Sequence, residues 1–308
     1  MFIPFISTLR RGGASGSSSG SSSSSSAGKS GSGSGGGKTG SSSSSSKGGS
    51  SSVTKSSPIS SGGTSRSVTT YGTGGGKISI IPTGQLFGGR TEGGGTRSQV
   101  FGSRAYGSGY PGIGSRGVAA RGFPFYFWPI SWGTGFGYRT NGAYLYSDEY
   151  GKPNNSSRPG GPMATAAFQS NSTNTEFRVV ADNSTVAALI TDIMANCSSY
   201  LTSSSPAAPT PFNASAADAP KPEQVVEYYR ASSVALSLDG YNNTAIFAAE
   251  NTTADVALPS GIDVSLLDCL NQTIGLAVPL VDRAGPTLTI PGIGIVGFVW
   301  LLSVVRWF

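Results

Sequence analysis

The stretch Phe177–Cys197, FRVVADNSTVAALITDIMANC, decides the fold of this chain. Its opening residues Phe177–Val180 predict a β-strand, because β-branched and aromatic side chains favour extended backbone. Apolar side chains then recur at the spacing of one helix face, at Val186, Leu189, Ile190, Ile193, Met194 and Cys197. Asn183 or Ser184 is the predicted cap of this helix. A strand followed by an amphipathic helix indicates the core of an α+β domain.

Further elements are predicted after a loop rich in Pro, Ala and Ser. A second helix is expected to begin at Pro222, because proline is favoured at the first position of a helix. Residues Val234–Leu238 alternate as a half-buried strand does, and Ala245–Ala249 is the predicted partner strand beyond a turn. A third helix is expected after Asp263. The order β-α-α-β-β-α predicts a small two-layer α+β domain over residues 158–281.

Glycosylation sequons are concentrated in that domain. Nine of the eleven asparagines between residues 151 and 273 begin an Asn-X-Ser/Thr pattern. The nine are Asn154, Asn155, Asn171, Asn183, Asn196, Asn213, Asn242, Asn251 and Asn271. Loop composition rich in Asn and Ser is the competing explanation. We favour glycan attachment, which takes place in the lumen of the secretory pathway.

The chain has two cysteines, Cys197 and Cys269, and no histidine. An oxidising lumen preserves disulfides, so the pair predicts one bridge, which would stabilise the fold by roughly 4 kcal/mol in the chain-entropy model. Two free buried thiols are the alternative.

A metal site is not expected from two cysteines without histidine. No cofactor motif and no catalytic constellation stands out, so the chain is predicted not to be an enzyme. An extracellular enzyme that uses carboxylates alone has no positive support.

The amino-terminal part has little apolar surface to bury. From Gly12 to Ser52, 35 of 41 residues are Ser or Gly. Ordering such a tract costs roughly 1–2 kcal/mol per residue in backbone entropy with nothing to offset it. Residues 1–95 are therefore predicted to be a disordered, basic Ser/Gly-rich tail, and the amino-terminal half of the chain to be largely disordered.

Residues 96–157 form a different kind of segment, rich in Gly, Arg and aromatic residues. Its apolar run, Phe123–Ile130, is too short to span a membrane and is expected to pack against the domain or a partner. The Arg/Gly/Tyr spacing also resembles disordered segments that bind nucleic acid by stacking. Residues 1–147 carry fourteen basic side chains and one acid, whereas residues 148–308 carry seven basic and fourteen acidic ones.

The last 21 residues, Leu288–Phe308, carry a single charge at Arg306. About 20 apolar residues span a bilayer as a helix, so the sequence predicts a carboxy-terminal transmembrane helix. A glycolipid-anchor signal is the alternative, although the spacer before this segment is short. The opening MFIPFISTLRR lacks the basic start and the full length of a signal-peptide apolar region.

Several blocks of the chain resemble a group of uncharacterised proteins predicted in mushroom-forming fungi. These blocks are the Ser/Gly tract, GTRSQVFGSRAYGSGYP, RGFPFYFWPISWG, PEQVVEYYRASSVALSLDGYNNT and DCLNQTIGLAVPL. The resemblance implies a secreted or membrane-anchored protein. It carries no activity and no functional residues.

These observations lead to two functional hypotheses. The first is a non-enzymatic cell-surface or cell-wall-associated membrane glycoprotein, single-pass, with its glycosylated domain lumenal or extracellular. Its partners would be the membrane and a cell-wall polysaccharide or other anionic matrix. The alternative is a cytosol-facing tail-anchored protein whose Arg/Gly/aromatic segment binds RNA, although a nucleic-acid partner is the less favoured of the two.

Overall fold

The computed structural model describes residues 55–61, 63–110, 116–119, 121–133, 142–146, 148–250 and 252–283. Its strands are β1 (Ser56–Ser61), β2 (Thr64–Thr69), β3 (Ser79–Ile80), β4 (Thr91–Glu92), β5 (Met163–Gln169), β6 (Glu176–Asp182), β7 (Thr210–Pro211), β8 (Val225–Tyr229) and β9 (Val234–Leu238). Its α-helices are α1 (Asn183–Cys197) and α2 (Val264–Ala277). Short 3₁₀ turns cover Arg97–Gln99, Ala143–Tyr146, Asp148–Tyr150, Ser198–Tyr200, Pro222–Gln224 and Thr244–Phe247.

The centre of the fold is a five-stranded sheet in the order β7-β5-β6-β9-β8. All neighbouring strands are antiparallel, and β5 pairs with β6 along its whole length, from Met163 opposite Asp182 to Gln169 opposite Glu176. The outer edge of β8 is covered, because Gly102 N donates to Tyr228 O (3.0 Å) and Tyr228 N donates to Ser103 O (2.9 Å). A covered edge cannot pair with another chain.

Helices α1 and α2 pack on one face of this sheet, which we call the helical face. Side chains at alternate strand positions, such as Phe177, Val179 and Leu236, meet aliphatic side chains of the helices, such as Ile193 and Leu270. Each helix is capped by an aspartate at its amino end. Asp182 Oδ1 accepts from Thr185 N (3.0 Å), and Asp263 Oδ1 accepts from Leu266 N (2.9 Å).

The opposite face of the sheet, which we call the aromatic face, is covered by chain with little regular structure. The intervening strand positions, among them Val180, Tyr228 and Ala235, contact a cluster that includes Trp128 and Tyr150. Because side chains alternate along a strand, each strand contributes to both faces. The five residues Val234–Leu238 are all buried for this reason.

The described residues before β5 belong to the folded body. Strands β1 and β2 form a hairpin, whose end is joined to the chain after α2 by Thr69 N to Leu280 O (2.8 Å) and Leu280 N to Thr69 O (3.1 Å). Strands β3 and β4 form a second hairpin. The prediction of a largely disordered amino-terminal half is therefore wrong for the described residues from Lys55 onward, because apolar residues such as Ile59 and Val68 are buried against Tyr126 and Phe127. Residues 1–54, which hold most of the Ser/Gly-rich tail, lie outside the described residues.

The predicted element order is wrong in the middle of the domain as well. The segment after Pro222 is one 3₁₀ turn followed by strand β8, and the predicted strand at Ala245–Ala249 is mostly a 3₁₀ turn. Two β-branched and two aromatic residues in β8 override the helix-start pattern, because they are buried on both faces of the sheet. The fold is therefore β-rich with a sheet covered on both sides, and it is not a two-layer α+β fold.

The predicted single-pass topology also needs correction. In the part of the chain that the structure describes, no helix combines the length and the apolar character that crossing a bilayer requires. The segment Leu288–Phe308, to which the transmembrane helix was assigned, lies outside the described residues.

Candidate functional site

The two predicted cysteines form a disulfide that joins the helices. Cys197 ends α1 and Cys269 lies inside α2, with an S–S distance of 2.02 Å and Cα atoms 5.9 Å apart. Their sequence separation is 72 residues. This confirms the predicted bridge. The bond fixes the packing of the two helices on the helical face.

Most sequon asparagines of the described chain are exposed at the surface. The exposed side chains are those of Asn154, Asn171, Asn183, Asn196, Asn213 and Asn242. Asn155 and Asn271 are partly buried, and Asn251 lies outside the described residues. The structure carries no glycan, so glycan attachment stays a prediction at every one of these positions.

Asn271 differs from the other sequon asparagines in its contacts. Its Oδ1 accepts a hydrogen bond from the hydroxyl of buried Tyr229 (3.0 Å). The sequon hydroxyl residue Thr273 is buried and lies 3.5 Å from Cys197 Sγ. The Asn183 sequon also has a buried hydroxyl residue, Thr185, which donates to Asp182 Oδ2 (2.7 Å). In the folded protein the hydroxyl residues of these two sequons are part of the core, whereas Asn183 itself is exposed.

Seven aromatic side chains in the described part of the segment that resembled a nucleic-acid binder are packed inside the fold, whereas Phe101 is 42% exposed. Tyr106, Phe123, Phe125, Tyr126, Phe127, Trp128 and Trp132 are at most 8% exposed. Rings at this depth cannot stack on bases of a bound strand. The prediction that the run Phe123–Ile130 packs against the domain agrees with this position.

Two arginines of the same segment, and Arg158 directly after it, bind backbone carbonyl groups. Arg97 donates to Gly72 O (2.8 Å) and Val278 O (2.5 Å), and Arg116 donates to three carbonyls at residues 245, 246 and 248 (2.8–3.1 Å). Buried Arg158 donates to three carbonyls at residues 128, 129 and 150 (2.6–3.2 Å). Irregular backbone leaves carbonyls without strand or helix partners, and guanidinium groups satisfy them.

A fully buried arginine joins the start of α1 to the chain after α2. Arg230 Nη2 donates to Asp182 Oδ2 (2.9 Å), Nη1 donates to Pro279 O (2.8 Å) and Nε donates to Ser233 Oγ (2.6 Å). Its guanidinium carbon lies 3.4 Å from the ring centroid of Phe127. Burial lowers the pKa of Arg230 to about 10, and the charge of Asp182 opposes that shift. We call this group the arginine junction.

The turn that carries Arg230 has an unusual backbone. Arg230, Ala231 and Ser232 have φ values of 52°, 51° and 60°, in the left-handed region that L-residues other than Gly, Asn and Asp seldom adopt. The surroundings hold the turn in this form, since Gly107 N donates to Ser232 Oγ (2.6 Å) and Ile130 N donates to Ser232 O (2.8 Å). Strain of this kind persists only where neighbouring groups fix it.

The aromatic side of the molecule also has a polar cavity of about 220 Å³. The buried side chains of Tyr106, Leu145, Tyr228 and Ile246 line its interior. Arg104, Arg116 and Tyr144 form half-buried walls, and Glu250, Thr253 and Asp255 are exposed at the rim. Sites for drug-sized ligands usually measure about 300–1,000 Å³, so this cavity admits only a small group.

Fixed donors surround the cavity. Arg104 Nη1 donates to Val256 O (3.1 Å), and its guanidinium carbon lies 5.6 Å from the ring centroid of Tyr241. The Tyr144 hydroxyl donates to Ile246 O (2.8 Å). Burial raises the pKa of Tyr144, and a hydrogen bond and the charge of Arg116 oppose that shift. The wall groups are therefore held in place before any ligand arrives.

Glu227 is the one strongly shifted carboxyl of the described residues that has no ion pair within 4 Å. It lies on β8 opposite Leu236. Burial raises its pKa from 4.5 to about 7, and the charge of Arg104 acts in the opposite direction. Sequence reasoning missed Glu227 and the arginine junction. Glu227 and Arg230 were both assigned to the helix expected after Pro222.

In the residues that the structure describes, no group of three or more Cys, Asp or Glu side chains is placed to hold a metal ion.

No protein-family model, no curated protein and no solved structure matches this chain. The resemblance to fungal proteins therefore stays a prediction, and the functional argument rests on the residues themselves.

Proposed function

We propose that this chain is a non-enzymatic glycoprotein that folds in the lumen of the secretory pathway and acts outside the cell, in a wall or matrix. The observation that carries the proposal is the Cys197–Cys269 disulfide, which persists in oxidising compartments and is rare in the cytosol. Six exposed sequon asparagines on the same domain support it, because a glycan needs an asparagine that faces solvent.

The RNA-binding alternative receives no support from the described residues. Seven of its rings are buried, and Arg97 and Arg116 are engaged with backbone carbonyls. A nucleic-acid surface needs guanidinium groups and rings that a strand can reach. These contacts favour a structural role for the Arg/aromatic segment.

A gel-shift experiment on protein isolated from its own cells tests the proposal. We expect N-glycosidase to lower the apparent mass by several kilodaltons, and a thiol-reactive reagent to label the protein only after reduction. Asn271→Gln should leave the shift almost unchanged, whereas Asn171→Gln should reduce it, because of these two side chains only that of Asn171 is exposed. An unshifted protein with two freely alkylated cysteines would show that the chain folds in a reducing compartment and would end the proposal.

A further inference from the structure

The lining of the polar cavity carries an inference about what the domain binds. Two fixed cations, Arg104 and Arg116, face two rim carboxylates, Glu250 and Asp255, around an interior lined by tyrosine rings. The formal charges of these four groups cancel. A strongly charged ligand would therefore meet a group of its own sign at close range, which is unfavourable.

Donors and acceptors are both present in this small space. The guanidinium groups only donate, the ionised carboxylates only accept, and the hydroxyl of Thr253 does both. A ligand that satisfies all of them needs several groups that can donate and accept at once. Hydroxyl groups have this property, and a compact molecule with several of them is a polyol or a sugar.

The tyrosines supply the remaining recognition element. The rings of Tyr106 and Tyr144 are inclined at 41° with their centroids 6.0 Å apart, and Tyr106 packs edge-on against Tyr228. The Tyr228 hydroxyl is buried and makes no hydrogen bond of normal geometry, although the Trp132 indole is its neighbour. Of these three rings only that of Tyr144 is half-buried rather than buried, so it is the ring that offers a surface for the C–H face of a sugar beside the polar groups.

From these features we propose that the cavity binds one sugar unit of a neutral glycan. Its volume of about 220 Å³ limits the ligand to one ring, with the rest of the chain outside. The inference deepens the proposed wall or matrix role and rests on it for the biological source of the glycan. It does not depend on whether the chain itself is glycosylated.

Isothermal titration of the full chain with soluble oligosaccharides tests this inference. The probes are neutral glucose hexamers in β-1,3 and β-1,4 linkage, with an oligogalacturonate of equal length as the acidic comparison. We expect saturable binding of a neutral hexamer that changes little when the salt concentration is raised about sixfold, whereas a charge-driven contact would weaken as the Debye length falls. Stronger binding of the acidic oligomer at low salt would overturn the neutral-ligand assignment.

Variants locate the binding at the cavity. Glu250→Gln with Asp255→Asn keeps the side-chain shapes, and the new amide oxygen at position 255 can still accept the hydrogen bond that Asn243 Nδ2 now donates to Asp255 Oδ1 (2.8 Å). We expect this double variant to bind at least tenfold more weakly with an unchanged melting temperature, and Asp268→Asn on the exposed surface of α2 to bind as the parent does.

No binding by the parent, or equal binding by all three proteins, would refute the site. If the protein binds the oligosaccharide but shows no change in apparent mass with N-glycosidase, only the lumenal assignment is refuted.

Discussion

The two faces of the central sheet are stabilised in different ways. On the helical face, aliphatic side chains at regular spacing pack between strands and helices, and one disulfide joins the helices. On the aromatic face, large rings pack against irregular chain, and arginines such as Arg116 and Arg158 bind its carbonyls. Regular elements satisfy their own backbone groups, whereas an irregular layer needs side-chain donors to do so.

The largest expected effect comes from breaking the arginine junction, which joins the start of α1 to the chain after α2. Arg230→Met leaves Asp182 buried without its cation, so we expect the free energy of unfolding to fall by about 5 kcal/mol. Asp182→Asn still offers an oxygen to cap α1 but leaves Arg230 uncompensated. Urea unfolding of both variants measures the loss.

The double variant Arg230→Met/Asp182→Asn sharpens this result. If the pair acts as a unit, its cost is smaller than the sum of the two single costs by about 2 kcal/mol or more. Strict additivity would show that the two side chains stabilise the fold independently and do not act as a pair.

The second expected effect concerns the helical face alone. Replacing Cys197 and Cys269 by alanine removes a cross-link over 72 residues, and the chain-entropy model gives a loss of about 4 kcal/mol. The tryptophan bands of the near-ultraviolet circular dichroism spectrum at low denaturant should stay unchanged, because the buried tryptophans of the aromatic face keep their surroundings. Loss of this signal would mean that the packing of the aromatic face depends on the disulfide of the helical face.

The smallest expected effect is a gain in stability instead of a loss, and it concerns the edge strand β8 of the sheet. The folded state raises the pKa of Glu227 from 4.5 to about 7, so the native protein holds this proton more tightly than the unfolded chain. The contribution of this carboxyl to stability is therefore fully present below about pH 4.5 and is lost as the pH rises through about 7. Glu227→Gln mimics the protonated form and should be about 2 kcal/mol more stable than the parent at about pH 8.

Urea midpoints at about pH 5 and about pH 8 check this prediction, since these values lie on either side of the raised pKa. The gain from Glu227→Gln should shrink towards zero at the lower pH, and Asp268→Asn on the exposed surface of α2 should show no such pH dependence. An equal gain at both pH values would show that burial of the carboxylate is not the cause.

The comparison of the faces also separates what the sequence predicted from what it missed. The helix Asn183–Cys197 was predicted from its apolar spacing and the strand before it from its residue types, and the second cysteine lies in the helix expected after Asp263. The segment Val225–Tyr229 was predicted as a helix because Pro222 resembles a helix start, yet burial of its side chains on both sheet faces makes it a strand.

By itself the sequence determined the two helices of the helical face, the strand cores at Phe177–Val180 and Val234–Leu238, the cysteine pair and the positions of the sequons. These are set by local repeats and by residue types, which a single sequence displays. Tertiary structure alone decided where the Arg/aromatic segment packs, how the arginine junction forms and that a polar cavity opens on the aromatic side. The contacts concerned join residues far apart in the chain, such as Gly107 with Ser232 across 125 positions and Arg97 with Val278 across 181. No local repeat in the sequence identifies such partners, because the hydrogen bonds of irregular backbone join segments that only the folded structure brings together.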